Sequence, residues 1–166
     1  MNSVRALALL LLLSLSACGL RPMYAGGVSG PVATSLSQIT VGPIPNRSGW
    51  LVRSALVDRL GGEHPNATYR LEVELDDGIS GFGIRGDRSI TRERRTLRAR
   101  YRLVQLSTGL VVLDATAGSD AGVDVVSSPY ATVAAEQTAL ERLSTLVADQ
   151  MVARLALYAS KRPISR

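Results

Sequence analysis

The sequence predicts an α+β fold, a two-layer sandwich in which a four-stranded, mostly antiparallel sheet carries two helices packed on one face. Three observations predict it. Two central segments alternate apolar and polar residues with a period of two, the mark of strands with one face in a core and the other in water. A long stripe at helical spacing fills the C-terminal part. The 166 residues show no internal repeat and no second domain, and that length suits one domain at a soft prior of ~150 residues each.

In chain order, the first element is a leader. Residues 1–17 hold 12 apolar residues behind one charge, Arg5, and the Leu7–Leu13 run falls short of the ~20 residues that a spanning helix needs. The charged start, the Leu-rich stretch and the small residues before Cys18 read as a secretory signal. Leu15-Ser16-Ala17-Cys18-Gly19 resembles the bacterial lipobox. That resemblance implies cleavage before Cys18, a diacylglyceryl thioether on its sulfur and an acyl group on its amine. Two or three chains hold a protein on a bilayer stably where one does not. Gly19 in place of Asp argues, by the same resemblance, against retention in the inner membrane. The expected location is the periplasmic side of the outer membrane, lipid-anchored. Residues 18–35, rich in Gly, Ser and Pro, then read as a lipidated tether.

The single domain is expected over 36–160, with 161–166 as a tail. Ile39, Val41 and Ile44 suggest a short strand limited by Pro43 and Pro45. Asn46 or Ser48 can cap a helix over 49–60, with Val52, Leu56 and Leu60 on one face and Gly61-Gly62 as its stop. Tyr69, Leu71, Val73 and Leu75 alternate with Arg70, Glu72, Glu74 and Asp76 in the next strand. A glycine-rich interval (Gly78, Gly81, Gly83, Gly86) reads as a flexible hairpin connection. A second alternating run follows, with Leu97, Ala99, Tyr101 and Leu103 inward and Arg94, Thr96, Arg98, Arg100 and Arg102 outward. Ser107-Thr108-Gly109 turns the chain into a third such strand over 110–117. Ser127, Ser128 and Pro129 open a helix from about 130 to 159, on which Leu140, Leu143, Val147, Met151, Leu155 and Tyr158 form one stripe.

The inventory excludes several kinds of chemistry. One Cys and one His leave no disulfide framework, zinc finger, Cys-His protease or multi-His metal site within a single chain. Gly81-Phe82-Gly83-Ile84-Arg85-Gly86 matches G-x-G-x-x-G, yet an Arg-rich strand follows it where pyrophosphate binding needs a helix N-terminus. His64, between Glu63 and Pro65, reads as an exposed loop residue. Glu72 and Glu74 share a strand face as solvated or paired carboxylates. No cofactor is expected, and the chain reads as non-enzymatic.

Charge is concentrated rather than spread. Without residues 1–17 the chain has 18 basic and 14 acidic residues. Between Arg85 and Arg102 lie eight Arg against Asp87 and Glu93, which is +6, so the remainder carries −2. One reading is structural: Glu72, Glu74 and Asp76 pair across a hairpin with Arg98, Arg100 and Arg102, and the cations discourage edge-to-edge aggregation. The other is a ligand site, because guanidinium forks bind phosphate and carboxylate through two hydrogen bonds. Arg85, Arg88, Arg92 and Arg94, in or beside the glycine-rich connection, are the arginines expected to be least neutralised and the candidates for an anionic ligand. Outside the cytoplasm nucleic acid is a poor candidate, and lipopolysaccharide (LPS) is the abundant polyanion.

Several pieces in fixed order carry a family resemblance: Cys18-Gly19-Leu20-Arg21-Pro22-Met23-Tyr24; Arg53, Leu56 and Leu60; Ala99-x-Tyr101-x-Leu103 leading to Thr108-Gly109; and Ser128-Pro129-Tyr130-Ala131 with Ala135-Glu136. Together they resemble the LptE family of LPS-assembly lipoproteins over nearly the whole mature chain. The resemblance implies a non-enzymatic lipoprotein that sits as a plug in the outer-membrane β-barrel LptD, aids its assembly and helps deliver LPS to the outer leaflet, with basic residues contacting LPS. Between Arg102 and Arg142 the chain has no Lys or Arg, so any basic contact rests on the 85–102 stretch. The rival reading is an outer-membrane lipoprotein that binds and regulates a periplasmic enzyme or an inner-membrane transporter.

Overall fold

The computed structural model describes residues 30–84 and 90–161. Their elements run α1 (Pro31–Leu36), β1 (Ile39–Val41), α2 (Asn46–Leu60), β2 (Tyr69–Ile84), β3 (Ile90–Gln105), β4 (Val111–Asp124) and α3 (Pro129–Lys161). The strands form one sheet in the order β1-β2-β3-β4, with β1 parallel to β2 and the other neighbours antiparallel. This is the α+β class and the mostly antiparallel sheet that the alternation predicts.

The first departure from expectation is α1, which lies in the stretch read as tether. Pro31 opens it with a preset φ and no N–H to satisfy. Val32 and Leu36, four residues apart and so on one face, are both buried in the core. Packing among the described residues therefore reaches back to Val32, ahead of the expected start at Leu36. Six residues are too few for their periodicity to stand out from the Gly/Ser background.

In α2 the stripe of Val52, Leu56 and Leu60 is buried as expected. Its start differs, because Pro45 occupies the cap position without a side-chain bond and Asn46 adopts a φ of 69°. Gly49 sits against Ile44 so closely that a Cβ there would lie 2.5 Å from the Ile44 carbonyl oxygen. Gly61, at φ 92°, ends the helix, and the Gly62 N–H reaches the Val57 carbonyl at 2.9 Å.

The second departure concerns strand length. β2 and β3 are 16 residues each and remain paired out to Ile84 and Ile90. Gly78, Gly81 and Gly83 thus belong to a strand and not to a flexible connection; only Gly83 among them takes a positive φ, 78°, and the Thr91 hydroxyl donates to its carbonyl at 2.9 Å. β4 likewise continues to Asp124, seven residues past the expected end at 117. Small residues (Ala115, Ala117, Gly118, Ala121, Gly122) hide the alternation there, although the backbone ladder does not depend on it.

The core is one cluster between the sheet and the helices. Leu71, Val73, Leu97, Ala99, Tyr101 and Leu103 supply the sheet side, and Leu140, Leu143, Val147, Met151 and Leu155 the α3 side. Burial of each large apolar side chain contributes ~1.5–3 kcal/mol. α3 lies over β3 and β4 and also meets α2, which contacts β1 and β2. Among the described residues no helix lies on the opposite sheet face.

Candidate functional site

The open sheet face is built by strand parity. Residues of even number on β3 point away from the helices, so Arg92, Arg94, Arg98, Arg100 and Arg102 form a row along the central strand. On β2 the register sets Glu72 opposite Arg102, Glu74 opposite Arg100 and Asp76 opposite Arg98, the alignment on which cross-hairpin pairing depends. On β4 the same face carries Asp114, Asp120 and Asp124. A cationic row therefore runs between two acidic ones.

The ion pairs divide between the two flanks. Arg102 reaches Glu74 at 3.0 Å and Glu72 at 3.8 Å. Arg100 turns instead to Asp114, with two hydrogen bonds of 3.2 and 2.8 Å. Those bonds, with the charge behind them, hold the Asp114 carboxyl below its ordinary range and raise the Arg100 guanidinium. Arg98 lies over Gly118, donates to the Ser119 carbonyl at 3.0 Å and stands 3.8 Å from Asp120. Gly118 and Thr116, with Glu74, Asp76, Arg98 and Arg100, line an open hollow of about 790 Å³.

Of the four arginines expected to meet an anionic ligand, Arg85 and Arg88 lie outside the described residues, as does Cys18. Arg92 and Arg94 are on the open face at the end of β3 away from the β3–β4 turn. Both have acidic neighbours that the sequence reading did not assign: Arg92 is 3.1 Å from Asp124 and Arg94 3.9 Å from Asp120. The Arg94 guanidinium also sits 5.3 Å above the Phe82 ring, within cation–π range. These pairs are open to water, with the Arg92 and Asp124 side chains 65% and 76% exposed. Exposed pairs of this kind contribute ~0.2–1 kcal/mol.

Asp114 was within reach of sequence reasoning, since it faces outward in the expected strand. Asp120 and Asp124 share its parity but lie beyond the expected strand end, and only the longer β4 brings them alongside the arginines.

Arg95 has the opposite parity and faces α3. It grips Asp77 through two hydrogen bonds of 2.9 and 2.8 Å, and a third reaches the Glu136 carbonyl at 3.1 Å. Next to it, Glu93 keeps one carboxylate oxygen buried without a hydrogen-bond partner. Its carboxyl is pushed up by desolvation first and then by the neighbouring Glu136 carboxyl. An Arg and a Glu on the apolar parity of a strand are a signal that the alternation itself contains.

Among the described residues no group of three or more His, Cys, Asp or Glu is placed to hold a metal ion. No helix among them is long and apolar enough to cross a membrane.

The family model of LptE, lipopolysaccharide-assembly, matches residues 36–155. Among solved structures, a protein of Caulobacter crescentus CB15 designated a lipoprotein is similar at a TM-score of 0.67 and 23% identity, over 80% of this chain and 100% of its own. The rare lipoprotein B of Shewanella oneidensis gives 0.59 at 9% identity, over 74% and 95%. A minor lipoprotein of Acinetobacter baumannii gives 0.58 at 11%, over 74% and 92%. No curated protein sequence matches the chain. At these identities the structural likenesses concern the fold.

Proposed function

The chain belongs to the LptE lipopolysaccharide-assembly family, and from that membership we propose that it is a non-enzymatic outer-membrane lipoprotein, held on the periplasmic side by acylated Cys18, that partners the LptD β-barrel in assembling it and passing LPS to the outer leaflet. The observation that carries this reading is the family match over residues 36–155, which takes in most of the packed domain, from the end of α1 into the last turns of α3.

Within that role, Arg85, Arg88, Arg92 and Arg94 contact LPS phosphates. The argument is electrostatic. On the described part of the open face six arginines (Arg70, Arg92, Arg94, Arg98, Arg100, Arg102) stand with six carboxylates (Glu72, Glu74, Asp76, Asp114, Asp120, Asp124), so that face is neutral. The surplus falls on Arg85 and Arg88, against Asp87, in the connection that follows β2. Arg92 and Arg94 adjoin it, and their weak, exposed pairs with Asp124 and Asp120 can be exchanged for a phosphate, which accepts two hydrogen bonds from one guanidinium.

The test is co-purification. The tagged full-length chain, extracted from envelopes in mild detergent, is expected to bring down a large β-barrel. Recovery of a soluble periplasmic enzyme or an inner-membrane transporter in its place would overturn the reading in favour of a regulatory lipoprotein.

A further inference from the structure

Four segments meet at one end of the molecule. β1 and β2 start there, with Ile39 beside Tyr69 and the Gln38 carbonyl taking the N–H groups of Thr68 and Tyr69 at 3.0 Å. The β3–β4 turn lies against them, its Leu106 N–H 2.9 Å from the Thr68 carbonyl. α3 also ends here, since Arg154, Leu157, Tyr158 and Lys161 line a small cavity of about 230 Å³ together with Leu113 of β4.

This end is apolar and cationic at once. Leu106, Leu110, Val111 and Leu157 are each 45–62% exposed. The turn that presents them is braced, with the Gly109 N–H on the Gln105 carbonyl at 2.8 Å and the Leu110 N–H on the Thr108 hydroxyl at 3.3 Å. Residues 104–113 contain no charge, and after Asp149 the chain has Arg154, Lys161, Arg162 and Arg166 and no acid. Asp149 is already held by Arg59 and Glu63 by Arg53. Arg154 and Lys161 have no ion pair among the described residues.

We propose that this end is a membrane-contact surface, in which Leu106, Leu110, Val111 and Leu157 enter the headgroup layer of a bilayer while Arg154 and Lys161 meet anionic phospholipid headgroups. An apolar cluster with cations at its rim is the pattern of interfacial binding. A protein partner would be expected to answer the cations with its own buried acids; a phospholipid surface supplies anions and apolar depth together. Chain length favours the same occupant. Cys18 is twelve residues before Gly30, a reach of at most about 40 Å, and α1 adds ~9 Å before β1. An acyl anchor on Cys18 therefore keeps this end within reach of the membrane, an argument that rests on the proposed lipidation, while the surface itself does not.

The test uses the full mature chain carrying Cys18→Ser, so that no acyl group contributes and neither LPS nor a barrel is present. Sedimentation with phosphatidylethanolamine/phosphatidylglycerol vesicles is expected to show salt-sensitive binding that phosphatidylcholine vesicles lack. Arg154→Ser with Lys161→Ser should weaken it by about tenfold or more, at roughly fivefold per cation near an anionic surface. Leu110→Ser with Val111→Ser should weaken it as well. Unaltered binding by either folded pair, or no binding by the parent, overturns the proposal. A second readout needs neither pair: in the Cys18→Ser chain an environment-sensitive fluorophore on Ser107→Cys should shift to the blue with anionic vesicles, and one on Ser80→Cys at the far end should not. Equal shifts at both positions, or none at Ser107→Cys, overturn it too. Failure here with a barrel still co-purifying would leave the LptE role standing.

Discussion

Arg95 and Asp77 face one another diagonally across the β2–β3 hairpin with two hydrogen bonds beneath α3, and their side chains are 13% and 20% exposed. This is the most enclosed ion pair among the described residues. Removal of one partner strands a charge that water reaches poorly, a loss put at ~3–5 kcal/mol for fully buried pairs. With some water access, Asp77→Ala should cost about 2–3 kcal/mol in urea denaturation. Asp124→Ala, on the exposed face, should stay within about 0.5 kcal/mol.

Gly49 meets Ile44 backbone to backbone. The nearest atoms that a Cβ would strike are the Ile44 carbonyl oxygen and carbon, at 2.5 and 2.7 Å, and neither can swing away as a side-chain tip would. Gly49→Ala normally gains helix propensity of ~1 kcal/mol. Here the expected outcome is a net loss of about 1–3 kcal/mol from overpacking, read as a lowered urea midpoint. A stabilised variant would show that α2 shifts freely on β1.

Glu93 sets a pH dependence. Its carboxyl is raised above the ordinary 4.5 by burial and by Glu136. The folded chain thus holds this proton more tightly than the unfolded chain, so the contribution favours folding at low pH. It declines as pH rises through the window just above 4.5. Glu93→Gln should remove that decline: the variant gains on the parent at neutral pH, and the two converge in acid. Asp114 works in the opposite sense, because its stabilisation is full above 3.8 and is lost as pH falls through its lowered folded value. Thermal melts of parent, Glu93→Gln and Asp114→Asn across this range separate the two.

Replacement of Arg85, Arg88, Arg92 and Arg94 by Ser should weaken LPS binding at least about tenfold, since a charge-assisted hydrogen bond is worth ~1.5–3 kcal/mol. The loss should be greatest at low salt, where screening is weakest, and the far-ultraviolet circular dichroism should remain that of the parent. Unchanged affinity in the folded variant would remove these four from the site.

The sheet and its helices were legible because their signals are periodic and local. Leu97, Ala99, Tyr101 and Leu103 announce a core face by alternation, and Leu140 to Leu155 announce a helix stripe. What the sequence concealed was continuation. The glycines between Gly78 and Gly83 and the small residues from Ala115 to Gly122 have little side chain with which to alternate, so the outer half of the hairpin and of β4 reads as loop. That omission carried the site with it. With β4 cut at 117, Asp120 and Asp124 had no place beside Arg94 and Arg92, and the basic row looked barer on its β4 side than it is.

The order of the strands bears on how the chain becomes structured. β2, β3 and β4 are consecutive in sequence and pair as a meander, so each pairing closes a short loop, whereas the parallel β1–β2 pair must bring together segments some thirty residues apart across α2. The meander is the part that can assemble first. Its apolar face over β3 and β4 then stays bare until α3, the last of the described elements, settles on it. During that interval the nascent sheet is at its most adhesive, and a chain truncated before Pro129 would be left there permanently, as a substrate for aggregation or proteolysis and not as a smaller domain.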